Sequence, residues 1–191
     1  MITSRFPLPV DERAVRALAA RLSTIKHANG YYVDVTSVRR YRGAAQLSLV
    51  REPSEIHVVC GHFMRSEMPY EIIDRRSAAA QWWSSVPVSI LFFLRSSALE
   101  SEVAYRLMKA EILRCLLSAP IADGNGVEYP IQVGPDPYDG DVRHEIRIYP
   151  LYIEDKPEYA CGVMDINLLA TFNLDSPYIA SAGDSMIFAS R

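Results

Sequence analysis

The stretch Val10–Val35, VDERAVRALAARLSTIKHANGYYVDV, decides the reading of this chain. Val15, Leu18, Ala19, Leu22 and Ile25 recur at helical spacing and form one apolar stripe. Asp11 stands where an N-cap belongs, with Val10 and Val15 placed to close a hydrophobic staple across it. Asn29-Gly30 reads as the stop, because these residues accept the left-handed conformation that ends helices. Tyr31 to Val35 then opens a strand. A helix over about 11–28 that runs straight into a strand of about 31–42 predicts an α+β domain.

Working outward, Gly43 to Ser54 reads as a Pro-broken connection or a hairpin arm, and Ile56 to Cys60 as a short second strand. Met64 to Ser77 carries charges and Pro69, which predicts a long loop or a ragged hairpin. Trp82 to Leu94 is the strongest strand: Val86, Val88, Ile90, Phe92 and Leu94 alternate with Pro87, Ser89, Leu91 and Phe93. Apolar residues on both faces predict either a central strand or one face covered by helices and the other by a neighbouring subunit. A second helix over about 98–118 follows from the Ser97/Glu100 capping box and the stripe Leu99, Val103, Leu107, Ala110, Leu113 and Leu117. Val127 to Val133 and Val142 to Ile153 read as strands, separated by a loop rich in Gly, Pro and Asp.

Beyond Lys156-Pro157, Met164, Ile166, Leu168, Ala170, Phe172 and Leu174 alternate with mostly polar residues, a strand with one dry face. It either closes its own subunit's sheet or lies on a neighbour. The expected organisation is therefore an α+β domain over 1–155, with a mixed, mainly antiparallel sheet flanked by the two helices, and a C-terminal strand extension over 156–191.

Composition narrows the function. The 191 residues are 49% apolar and 23% charged, ordinary globular values for a single core. A net charge of −3 argues against a dedicated nucleic-acid binder, whose footprint is a strong basic excess. Arg39, Arg40, Arg42 and Arg51 cluster, as do Arg75 and Arg76; a solvated strand edge or loop accounts for both groups. Three cysteines without a CxxC read as buried free thiols of a reducing compartment. The uncharged run from Ser77 to Leu94 is densely apolar only over Val86–Leu94, strand length rather than membrane-span length, so the expectation is a soluble protein.

The motifs of chemistry fail on inspection. Gly124-Asn125-Gly126 is followed by Val-Glu-Tyr, which is no phosphate cradle. His57, Cys60 and His62 lack a fourth ligand, and the two histidines fall on opposite strand faces. Asp136, Asp139 and Asp141 miss the spacing of a calcium loop and read as turn caps. His144-Glu145 opens no H-E-x-x-H, and no G-x-S-x-G elbow occurs. The expectation is no catalytic residue, no cofactor and no metal. Trp82-Trp83 differ in kind: adjacent on a strand, they fall on opposite faces, so one can enter the core while the other anchors an interface. Cover of both by their own chain fits the pattern equally. With the apolar strands, the candidate oligomer-interface residues are Trp82, Trp83, Phe93, Ile166, Leu168 and Phe172.

The order helix, strands, helix, strands resembles the tail-terminator (minor tail or tail-completion) proteins of long-tailed bacteriophages. The echoes are the L-x-x-I-x-x-A-N-G-Y passage at Leu22–Tyr31, the helix Leu99–Leu117 after an aromatic strand, and the strand near Ile146–Ile153. The resemblance spans about residues 10–155, through structural rather than chemical motifs. It implies a virion protein, assembled in the host cytoplasm, that forms a ring, usually a hexamer, at the head-proximal end of the tail tube. Its partners would be further copies of itself, the tail tube protein and a head-completion or connector protein. DNA would pass through the lumen without specific binding, and no membrane would be involved. A different head–tail joining or neck protein, or a small enzyme with a site assembled from scattered residues, are the alternatives. Residues 156–191 depart from the shorter members of that family, and their dry-faced strand would be an arm lacing subunits.

Overall fold

The computed structural model describes residues 8, 10–42, 50–61, 73–75, 81–96, 101–135, 143–154 and 156–173. Helix α1 spans Val10–Leu22, six residues short of the expected end. The Ser23 and Thr24 hydroxyls donate to the carbonyls of Ala20 and Arg21 at 2.6 and 2.7 Å, claiming acceptors at the helix end. Asp11 consequently lies within the first turn rather than capping it, and its Oδ1 accepts the Glu12 N–H at 2.8 Å. The expected stop at Asn29-Gly30 closes a short 3-10 turn, His27–Asn29, with Gly30 left-handed at φ 83°.

Strand β1 is Ser37–Arg42, shorter than predicted. Tyr31–Thr36 folds back on the end of α1 instead: Val35 N–H donates to the Ile25 carbonyl at 3.0 Å, and Val33 and Val35 are buried. Strand β2 is Ser54–Cys60, β3 is Ile73–Arg75 and β4 is Gln81–Arg95. Helix α2 spans Ser101–Ser118; its predicted capping box at Ser97 and Glu100 lies outside the described residues. Two short strands follow, β5 (Gly134–Pro135) and β6 (Arg143–His144), then β7 (Arg147–Leu151) and β8 (Tyr159–Asn173). Val127–Val133 forms no strand. It meets β8 only through Gln132 N–H to Asn167 and Leu169 N–H to Pro130, and Pro130 has no N–H of its own to give a ladder.

The main sheet runs β1-β2-β4-β8-β7, with β3 beside β4. All its pairings are antiparallel except β1 with β2. That parallel pair excludes a hairpin joining β1 to β2, since a hairpin can join only antiparallel strands, while residues 43–49 lie outside the described part. The fold is thus α+β, with a mixed, mostly antiparallel sheet and two main helices. One expectation is corrected. Tyr159–Asn173 is no arm: β8 pairs with β4 along its whole length and with β7 on its other side, so the division at 155/156 cuts through one sheet. Residues 174–191 lie outside the described part.

Both faces of β4 are dry, as a central strand requires. Val86, Val88, Ile90 and Phe92 join Leu18, Leu22, Met108 and Ile112 in the helix-side core. Leu91 and Phe93 join Val50, Val59, Cys161 and Val163 in a second core on the opposite face.

Candidate interaction surface

Buried polar groups come first, because burial of a charge demands a partner and often marks chemistry. Arg13 on α1 reaches across to Asp123 at 2.6 Å, and the Tyr129 hydroxyl donates to the same carboxylate at 3.1 Å. Burial pushes the Asp123 carboxyl up, but Arg13 and the N–H groups of Val127 and Asn125 outweigh it and hold it below its ordinary value. The fully buried Tyr129 phenol is raised, first by burial and then by that carboxylate. This network ties the 123–129 turn to α1.

A second network lies on the face away from the helices. The Glu55 carboxylate accepts the N–H groups of Arg51 and Glu52 at 2.7 and 2.6 Å, meets His57 Nε2 at 3.0 Å and lies 3.4 Å from Arg39. Burial raises its pKa, and these partners together bring it below the usual carboxylate range. His57 is fully buried between the Tyr41 and Phe93 rings, each centroid 4.8 Å away. Burial lowers its pKa against the opposing pull of Glu55, and Nδ1 has no hydrogen-bond partner among the described residues. His57 is therefore a neutral core imidazole donating from Nε2, the assignment the hydrogen bond demands. Of the three residues weighed as a metal site, His57 is buried, Cys60 is exposed and His62 lies outside the described residues. Among the described residues no group of His, Cys, Asp or Glu is arranged to hold a metal.

A cleft of about 340 Å³ lies at one end of the sheet, with Val33, Leu94, Ala104 and Leu107 among its walls and Arg95 beside them. His27 and Asp34 also line it, 3.6 Å apart and both more than half exposed.

The predicted interface residues separate into two groups. Phe93, Ile166 and Leu168 are interior: Phe93 fills the second core, and Ile166 and Leu168 fill the helix-side core. Their apolar area is consumed within the subunit, which removes them from the interface set. The side chains of Trp82, Trp83 and Phe172 lie outside the described part, but the backbone register is plain. Trp82 stands opposite Phe172 and Trp83 opposite Thr171, with β3 on the far side. These three residues meet at one end of the β4–β8 ladder, whose 15 paired residues extend about 50 Å.

Sequence reading offered a strand edge or a loop for the β1 arginines and did not identify β7 as an edge. β1 and β7 are the two outer strands, and among the described residues neither pairs on its outer side. Their local signals were the run Arg39-Arg40-Tyr41-Arg42 and Pro150 within a strand pattern, both habits of edge strands. Exposed Tyr152 and Val133 lie in sequence near the β7 side. No protein-family model matches the chain, and no curated protein matches its sequence.

Proposed function

We propose that this chain is a structural virion protein of the tail-terminator kind: a subunit of a ring, expected to be hexameric, at the head-proximal end of a phage tail tube. The ring ends tube polymerisation and joins tail to head, without catalysis, cofactor or metal. The observation that carries the reading is a sheet whose two buried carboxylate networks serve as joints within the subunit. Asp123 ties a turn to a helix, Glu55 staples a corner, and neither lines the cleft. Support also comes from the passage on which the resemblance rests. Leu22 and Ile25 are fully buried, Asn29 Nδ2 donates to the Thr24 carbonyl at 2.7 Å, and Gly30 takes the left-handed turn. Tyr31 lies beneath the Arg114 guanidinium, 4.3 Å from its ring centroid. The passage is thus an architectural joint, as expected where fold rather than chemistry is what relatives share. No helix among the described residues is long and apolar enough to cross a membrane.

The test is sedimentation velocity over a wide concentration range, followed by negative-stain imaging and by addition of purified tail tubes. A species near six subunits with a central hole, which caps tube ends and stops their growth, is the expected result. Binding to a portal in place of a tube would move the protein to the neck, and turnover of a small molecule would overturn the structural reading.

A further inference from the structure

The geometry points to a specific subunit junction: β1 of one copy adds to the outer edge of β7 of the next, continuing the sheet in antiparallel register around the assembly. The inference rests on the ring reading and names the surface that would close it.

Strand polarity comes first. β1 runs parallel to β2, and each step from β2 to β4, β8 and β7 is antiparallel. β1 and β7 therefore point in opposite directions at the two ends of one sheet. A neighbour placed by simple rotation about a ring axis, with its faces kept in the same sense, presents β1 antiparallel to β7. That is the stronger ladder.

Register comes second. Ser37, Glu55, Phe93, Cys161 and Leu151 lie in one cross-sheet row, Arg39, His57, Leu91, Val163 and Tyr149 in the next, and Tyr41, Val59, Ser89, Asp165 and Arg147 in the third. Rows continue between copies when Ser37 meets Leu151, Arg39 meets Tyr149 and Tyr41 meets Arg147. That register keeps each face on its own side and overlaps nearly the full length of both strands, six residues against five.

Charge then selects among the possible pairings. β1 carries Arg39, Arg40 and Arg42 and no acid; β7 itself carries only Arg147, and the acids of its surroundings, Glu145, Glu154, Asp155 and Glu158, stand in its flanks. A two-fold β1–β1 pairing would gather the arginines of both copies on one ladder, Arg39 on one face and Arg40 and Arg42 on the other, with no acid on either strand, and like charges across a ladder are destabilising. Arg39 and Arg40 each keep more than a third of the side chain exposed despite their bonds to Glu55 and Glu12. Arginines and Pro150 are devices that deter indiscriminate edge pairing; the acidic flanks of β7 turn the arginines from a deterrent into a match. Because the two edges differ, the contact is heterologous, and such contacts either close into rings or run on as filaments.

The test uses the full chain with Cys60→Ser. Ser37→Cys and Leu151→Cys are made on separate chains, mixed, and treated with a short bismaleimide. Val38→Cys and Pro150→Cys read the same junction from the other face, so one poorly folding variant does not decide the outcome. A cross-linked dimer formed only in the mixtures, and a ladder of multimers from the double variant Ser37→Cys/Leu151→Cys, are expected. Cross-linking of Ser37→Cys with itself would overturn the junction in favour of a two-fold dimer. Multimers by sedimentation without cross-links in either pair would overturn the junction and leave the ring standing. A chain monomeric and uncrosslinked at every concentration would overturn both.

Discussion

Gly162 is the residue where the helix-side packing has least tolerance. A Cβ there would run into the Phe92 ring and stand 2.6 Å from Tyr105 Cε2, where Phe92 and Tyr105 stack with centroids 5.6 Å apart. The Phe92 ring cannot retreat, since it is fully buried, and the partly buried Tyr105 ring packs against it. Gly162→Ala is expected to cost about 1–3 kcal/mol through overpacking, read as a lower urea midpoint. Arg13→Ala should cost about 3 kcal/mol, because it strands the nearly buried Asp123 carboxylate; a loss under about 1 kcal/mol would mean that the pair is solvent-screened. Acid acts on two groups in the second network in the same sense. His57 has a folded pKa below its ordinary 6.5, so the unfolded chain binds the extra proton and stability falls as pH drops from about 6.5 toward the folded value. Glu55, lowered from 4.5, adds its own loss further down, as pH falls through its folded pKa. Urea midpoints should therefore decline from near neutrality, and His57→Phe should flatten the upper part of that decline and shrink the lower part, since it also takes from Glu55 one of the partners that lower its pKa. Neither the paired Glu55 nor the stranding of His57 Nδ1 could be read from the sequence, where the E-x-H spacing showed only that two polar residues share one face of a short apolar strand.

At the level of elements, local signals identified types better than ends. The stripe of α1 was legible, but its end was not, because Ser23 and Thr24 compete for helical carbonyls in a way that apolar periodicity does not register. β4 was legible as a central strand because apolar residues on both faces need cover on both faces. The dry-faced alternation of β8 was legible too. Its place was not: period two says that a face is buried, not against what. The structure sets it between β4 and β7, with Met164, Ile166, Leu168 and Ala170 in the core. Deleting residues 157–191 should therefore unfold the subunit rather than merely weaken assembly, seen as loss of cooperative thermal unfolding by circular dichroism. A truncated chain that still melts cooperatively would return the strand to the role of an exchangeable arm.

For the whole molecule, the sheet ends among the described residues in two strands unpaired on their outer sides, and helices back one of its faces. With a net charge of −3, duplex DNA should be retained weakly at physiological salt, and fluorescence anisotropy should show no tight binding. Salt-sensitive binding at nanomolar concentration would instead assign the arginines of β1 to phosphate. Assembly by edge strands also predicts that ring formation responds to Pro at β1: Arg40→Pro removes a ladder donor, and the multimer should be lost while the secondary-structure signal of the subunit survives.

The sequence by itself determined the class of fold, both helices, the central character of β4, the dry face of β8 and the failure of every catalytic or metal-binding motif. These follow from periodicity, capping and ligand spacing, which act over a few residues. Only the tertiary structure decided that β1 lies parallel to β2, that β8 belongs to the middle of the sheet, that Phe93, Ile166 and Leu168 are interior, and that β1 and β7 are the edges. Each of these depends on which distant strands pair, and strand pairing is settled by the burial of whole faces against one another, a free energy that no local stretch of chain contains.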